Sequence, residues 1–200
     1  LWSGSGTDVQ GGRDASAPSF NWSTVRGRLV EMRAPSHSGV LSLVVDLVWT
    51  AQRHEEPVAW IHGATSPPFV VDLLAVGVDP EAIATVRLHR EIDALRAAER
   101  LLRSGAFGLL VLDVMRGVTL GTTEAGRLAR LADAQDCAVV LMAEHPVSPA
   151  AGSLISLRAE VERQRLSDGR FMRITRVVRD KRSALEWVVQ EEVDGPAGLR

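Results

Sequence analysis

The residues best placed for chemistry lie where the first apolar run gives way to a helical pattern: Ala34-Pro35-Ser36-His37-Ser38-Gly39-Val40-Leu41. A phosphate-binding loop occupies such a place, because backbone N–H groups and the positive end of a helix dipole converge there on the anion. The working pattern is a glycine, four residues, a second glycine, a lysine, and then serine or threonine. Here only the second glycine is present, as Gly39. Ala34 stands for the first glycine, Val40 for the lysine and Leu41 for the magnesium-binding hydroxyl. An isopropyl group cannot neutralise the β- and γ-phosphates of a nucleotide. Lys181 is the only lysine in the chain and lies far outside this loop. Read by itself, Pro35–Gly39 is a strand-to-helix turn.

Other reactive types are scattered. The histidines are residues 37, 54, 62, 89 and 145, and no pair has the spacing of a helical metal site. Ser36, His37 and Ser38 adjoin, but a nucleophile needs a positioned base and an oxyanion site, and Pro35 favours a plain turn. Asp93, Arg96, Glu99, Arg100 and Arg103 decorate one helical stretch in the manner of a solvated face. Cys137 approaches an apolar strand and reads as packing. No catalytic residue, metal ligand or cofactor site is assigned.

The elements that must position these residues follow from periodicity. Residues 1–27 are rich in glycine and serine, without a sustained pattern, and read as a loosely ordered arm carrying Trp2, Phe20 and Trp22. The aromatic pair Phe20 and Trp22 either docks onto the chain's own domain or anchors a partner, since tryptophan is enriched at binding hot spots. Arg28–Arg33 predicts a first strand, and Leu41, Val44, Val45 and Val48 a helix. Val58–Ile61 is a second strand, Val70–Val76 a helix ended by Gly77, and Thr85–Leu88 a third strand. Ile92, Leu95, Ala98 and Leu102 predict one face of a helix that stops at Gly105. Gly108–Leu112 is a fully apolar strand ending at Asp113. A helix over Thr123–Ala134, with Leu128, Leu131 and Ala132 inward, precedes a strand over Ala138–Met142.

Alternation of strand and helix predicts an α/β fold: a mostly parallel twisted sheet with helices on both faces. The last third changes period. Ile155, Leu157, Ala159 and Val161 alternate with Ser156, Arg158, Glu160 and Glu162, which predicts a half-wet strand. Ser167-Asp168-Gly169 is a turn. Met172, Ile174 and Val178 mark a further strand, and Leu185, Trp187 and Val189 another after a turn at Asp180–Ser183. These three form an antiparallel meander. The expected organisation is an arm over 1–27, a core domain over 28–193 and a tail over 194–200.

Four stretches, in order, resemble the bacterial RecA recombinases. Glu31–Gly39 resembles their Val-Glu-Ile strand running into Gly-Pro-Glu-Ser-Ser-Gly-Lys-Thr. Gly77-Val78-Asp79, the run Ala94–Asp113 with its Arg103-Ser104-Gly105-Ala106, and Arg179-Asp180-Lys181 follow at similar spacing. The resemblance implies a RecA-like core. By it, Asp113 matches the acidic residue that ends the Walker B strand and helps hold magnesium, although a solvated carboxylate at a strand end is an equal reading of the residue. Trp60–Thr65 occupies the place of the catalytic glutamate and holds no carboxylate, and Ala143-Glu144-His145 that of the γ-phosphate sensor. The two DNA-gripping loops correspond to the short Met115–Thr122 and Pro146–Ser153, where Arg116 is the only cation. The vestigial nucleotide site is thus Ala34, Gly39, Val40, Leu41 and Asp113.

Within that superfamily, a small chain with a degraded nucleotide loop resembles the ImuA group, accessory proteins of bacterial SOS-induced translesion-synthesis cassettes. That likeness implies a non-catalytic regulator contacting RecA, an ImuB-like polymerase-family subunit and, through it, an error-prone replicative-type polymerase. Phe20 and Trp22 are its expected partner contacts. Two alternatives are a SulA-like inhibitor of the cell-division GTPase and an ATPase with an atypical loop.

Composition bounds the partners. Two hundred residues, 46% hydrophobic and 24% charged, suit one domain with a sizeable core. A net charge of −2 supplies no basic field for nucleic acid, so direct DNA binding is not expected. One cysteine forms no internal disulfide and fits a reducing cytoplasm. No apolar run reaches the roughly 20 residues of a membrane span, and residues 1–20 lack the regions of a signal peptide.

Overall fold

A computed structural model describes residues 19–34, 39–63, 70–113, 120–143, 148–183 and 185–194. Its framework is an eight-stranded sheet in the order β3-β2-β4-β5-β1-β6-β7-β8. The strands are β1 (Leu29–Arg33), β2 (Val58–Gly63), β3 (Ile83–Leu88), β4 (Leu109–Asp113), β5 (Ala138–Ala143), β6 (Leu157–Arg165), β7 (Phe171–Asp180) and β8 (Trp187–Val193). Every pairing from β3 across to β6 is parallel. Only β7 is reversed, pairing antiparallel with β6 on one side and β8 on the other. The helices are α1 (Trp22–Val25), α2 (Val40–Arg53), α3 (Val70–Val76), α4 (Ala94–Ser104), α5 (Thr122–Ala134) and α6 (Pro149–Gly152). The fold is the expected α/β one: a RecA-like core, mostly parallel, with helices on both faces and a C-terminal antiparallel meander.

The sequence forms these elements for simple reasons. β4 and β5 read Leu-Leu-Val-Leu-Asp and Ala-Val-Val-Leu-Met-Ala, apolar at successive positions, because a parallel strand in mid-sheet is covered on both faces. Alternate side chains then feed two separate cores. Val30, Met32, Trp60, Val111 and Val140 pack against α2, whose Leu43, Val44, Leu47 and Val48 recur at helical spacing. Leu29, Ile61, Leu110, Leu112 and Leu141 meet α4 and α5 on the opposite face. α4 stops at Gly105, which takes the left-handed φ of 65° that a side chain would disfavour.

The meander carries its own fastening. Arg28, just before β1, is 3% exposed and donates through Nη2 to Asp180 at 2.5 Å. The same guanidinium reaches the Ser156 carbonyl at 2.6 Å and the Thr24 carbonyl at 3.0 Å. Asp180 also accepts from the Arg182 backbone N–H and the Ser183 hydroxyl. One ion pair thus joins the start of β1, the approach to β6 and the end of β7. Burial pulls the Asp180 carboxyl upward, but those hydrogen bonds and the Arg28 charge outweigh it and leave it below its ordinary value.

Several expectations need correction. Residues 19–27 belong to the packed domain rather than to an arm. Asn21 caps α1 by accepting from the Thr24 N–H, Thr24 Oγ1 accepts in return from the Asn21 N–H, and Phe20 and Trp22 enter the α2 core at 7% and 5% exposure. Phe20 meets Trp187 of β8 with ring centroids 6.1 Å apart. Ile92 is 68% exposed, because the chain makes a 3-10 turn over Glu91–Asp93 before α4 begins; Ala94, Ala98 and Leu102 form the inward face. Leu185 is likewise outward at 69%, preceding β8 rather than lying in it. The strand expected over Ile155–Val161 runs instead to Arg165, so β6 and β7 project past the end of β1.

Candidate functional site

The parallel strands end together at one margin of the sheet, where an α/β fold keeps its ligand sites. β1 leads through Ala34 towards Gly39 and α2, and β4 ends there at Asp113. Residues 35–38 lie outside the described ones, as do Ala64, Thr65, Glu144 and His145. So do residues 115–119 and 146–147 of the connections expected in place of the DNA loops, whereas Leu120–Thr122 and Ser148–Ser153 are described.

Packing accounts for Ala34, Gly39 and Val40 of the expected nucleotide site. Val40, in the lysine position, is 5% exposed and belongs to the apolar cluster beneath α2. Leu41, in the hydroxyl position, is 37% exposed on the helix surface. Ala34 is partly buried against the same cluster. Gly39 caps α2 at φ −98°, a conformation open to any residue, so its lack of a side chain answers another need. A Cβ there would stand 3.0 Å from Val161 Cγ1 and 3.1 Å from the Glu162 carbonyl oxygen. Its N–H is directed at the Val161 carbonyl at 3.5 Å. The close passage of β6 therefore accounts for this glycine without a phosphate. The first turn of α2 carries no charged side chain.

Asp113, the fifth residue of the expected site, is partly buried and stands opposite His62 in the β2–β4 register. His62 is 3% exposed, and its Nδ1 lies 2.7 Å from the Gly63 carbonyl. In the tautomer protonated at Nδ1 it donates there and is held by its own strand end. The structure therefore groups Gly39 with Val40 and Leu41 at the head of α2 and places Asp113 two strands away, beyond β5. Among the described residues no group of three or more metal-ligating side chains converges.

Charge does cluster at this margin, but on the α5 face. Glu31, wholly buried in mid-strand, pairs with Arg158, and Arg33 pairs with Glu160, both across the β1–β6 boundary. The sequence hints at it, since a glutamate inside an apolar strand needs a cation. Its partner is 127 residues away in sequence and becomes visible only once β6 is known to lie beside β1.

Two further residue groups complete the survey. Cys137 is fully enclosed, and desolvation, reinforced by Glu56 and Asp136, pushes its thiol up to about 12. It is thus a poor nucleophile. Phe20 and Trp22, expected as partner contacts, are committed to the core; side chains 7% and 5% exposed present no docking face. The larger exposed apolar side chains gather elsewhere. Val70, Val71, Leu74 and Val76 of α3 are 42–58% exposed, and α3 leads through the short turn at Pro80–Ala82 into β3, the edge strand of the sheet among the described residues.

Comparison with known proteins agrees with the fold. Over 116 residues, 53% of this chain and 32% of the relative, it is 33% identical to the protein RecA of Nocardioides sp.. It is 30% identical to RecA of Ruminococcus albus and 30% to RecA of Saccharopolyspora erythraea over the same share of this chain, covering 28% and 33% of them. The match spans about a third of the length of these RecA proteins. No protein-family model matches the chain. The similarity supports a RecA-like protein.

Proposed function

We propose that this chain is a non-catalytic RecA-like adaptor, whose fold is kept for its surfaces and whose partners are proteins. The observation that carries the reading is the head of α2. There Val40 is drawn into the core and Leu41 is an aliphatic group on the surface, so neither a lysine nor a hydroxyl serves a nucleotide. Holding phosphate beside apolar groups costs several kcal/mol, of order 2–7 per unsatisfied polar group. The proposed partners are RecA itself and an ImuB-like polymerase-family subunit, in SOS-induced translesion synthesis, with recombination restrained as a result. Because Phe20 and Trp22 are enclosed, the contact surface for RecA is assigned instead to the exposed side of α3 and the edge strand β3. An open edge with apolar neighbours is a template for another chain.

The experiment has two arms. Millimolar ATP with magnesium is expected to leave the melting temperature unchanged, since a ligand stabilises only as far as it binds. The double change Val40→Lys with Leu41→Thr is expected not to restore hydrolysis. In the second arm, purified RecA is captured by the parent protein but not by a Val71→Asp, Leu74→Asp variant. A saturable ATP shift would favour the other reading, a nucleotide-dependent enzyme, for which Gly39 and Asp113 at family-like positions speak. Failure of RecA capture without any ATP shift would leave the adaptor role to a different partner.

A further inference from the structure

Among the described residues, β3 and β8 are the two outermost strands of the sheet, and the two edges differ in charge. β8 and the residues beside it read Leu-Glu-Trp-Val-Val-Gln-Glu-Glu-Val-Asp, which supplies Glu186, Glu191, Glu192 and Asp194 and no cation. Antiparallel pairing with a second copy about a two-fold axis at Val189 would set Glu186 against Glu192. An axis at Gln190 would set Glu186 against Asp194, and one at Glu191 would set that residue against its own copy. Like charges directly opposite one another oppose pairing, and a charged edge resists a further strand.

β3 carries no such protection. It reads Ile-Ala-Thr-Val-Arg-Leu, and Arg87 is its only charged residue. Its outer backbone edge faces no strand among the described residues. Ile83, Thr85 and Arg87 lie on the α2 side of the sheet, where Ile83 joins the core. Ala84, Val86 and Leu88 lie on the other side, where Val86 and Leu88 pack partly buried against the α4–α5 core. A two-fold axis through Val86, normal to the sheet, sets each side against itself. Val86 then faces its own copy, Ala84 faces Leu88, and Thr85 faces Arg87. The apolar row of the α4 side continues from one copy into the next, and no like charges face each other within the strand. The turns at Pro80–Ala82 and Glu91–Asp93 take the chain out of the pairing at either end.

We propose that β3 pairs antiparallel with β3 of a second copy of this chain, making a two-fold dimer whose sheet is continuous across both. The outward side of α3, with Val70, Val71, Leu74 and Val76 at 42–58% exposure, flanks the join and adds apolar area to it. The inference rests on the composition of the two edges and stands whether or not RecA is a partner. Where both hold, dimer and RecA complex exclude each other, because they use one edge.

The test is sedimentation velocity of the full chain over a wide range of concentration. A reversible dimer that dissociates on dilution is expected. Thr85 is exposed, so charge introduced there leaves the folded monomer intact, with the parent's melting temperature as the check. Thr85→Lys sets a like charge against Arg87 of the second copy, twice per dimer, and is expected to raise the dimer Kd about tenfold. Thr85→Glu sets an opposite charge there and is expected to lower Kd by a similar factor. Val188→Lys, on β8, is expected to change nothing. A protein monomeric at every concentration overturns the proposal, as do Lys and Glu variants that shift Kd in the same direction. So does a species that keeps growing with concentration, or a dimer sensitive to Val188→Lys, since either would mean that β8 takes part in the contact. RecA capture by a chain that stays monomeric would leave the adaptor reading standing and remove this one alone.

Discussion

The head of α2 and the flank of the same helix have been shaped by different demands. At the head, Gly39, Val40 and Leu41 carry no charge, and packing against β6 and the core accounts for the first two. Less than two turns along, Asp46 is held by a buried arginine with a second acid beside it. A helix N-terminus is attractive to anions through its backbone alone, yet that attraction is weak until a cation completes it. The flank draws its polarity from three elements that only the folded sheet brings together. The same helix is thus apolar at its head and charged on its flank.

The sharpest way to break this contrast is through the aromatic residues that join α1 to the α2 core. Phe20→Ala or Trp22→Ala is expected to destabilise the isolated protein by about 3–5 kcal/mol, as for large core aromatics, read from urea unfolding. If the two were surface anchors, the midpoint would not move.

Next in size is the Arg28–Asp180 fastening. Asp180→Ala strands a guanidinium that is 3% exposed and is expected to cost about 3–5 kcal/mol. The pH dependence has a definite sign. The carboxyl lies below its ordinary value in the folded protein, so its contribution is complete above the unfolded pKa of roughly 3.9 and is lost as pH falls through the folded value. Acid unfolding should therefore begin at higher pH, and with a shallower step below pH 4, in Asp180→Asn than in the parent. Identical acid transitions would exclude the fastening as a source of stability.

A smaller effect tests the head of α2 directly. Gly39→Ala places a methyl group 3.0–3.1 Å from β6 atoms, one of them backbone. Overpacking of this kind costs about 1–3 kcal/mol. Unchanged stability would mean that β6 yields and that close packing does not explain the glycine.

The smallest expected signal is chemical. Cys137, with its thiol pushed up to about 12, should resist iodoacetamide at pH 8 in the native protein and react on addition of urea. Native-state labelling at the rate of an exposed thiol would show that the strand opens at Ala138.

Much of the fold was legible from period alone, because burial imposes it strand by strand. The apolar runs of β4 and β5 and the two-residue alternation of Leu157, Ala159 and Val161 announce two-sided and one-sided burial before any contact is known. Local pattern failed where a residue's setting is decided by what arrives from elsewhere. Ile92 fits the spacing of α4 but precedes its first turn, and Phe20 and Trp22 sit in a stretch without periodicity while a core formed by α2 and β8 receives them.

The loss of the lysine and hydroxyl from the 34–41 stretch is a matter of residue type, and sequence by itself determined it: no arrangement of the chain can give Val40 a charge. The same holds for the α/β class, which follows from alternating periods that only a covered parallel sheet satisfies. The tertiary structure decided why Gly39 remains, since the approach of Val161 and Glu162 depends on β6 lying beside β1. It decided as well that Asp46, Arg173 and Glu191 share one wall. Residues 127 and 18 apart in sequence meet there because β7 runs antiparallel to its neighbours and α2 crosses above them, a relation of strand order that no local spacing encodes.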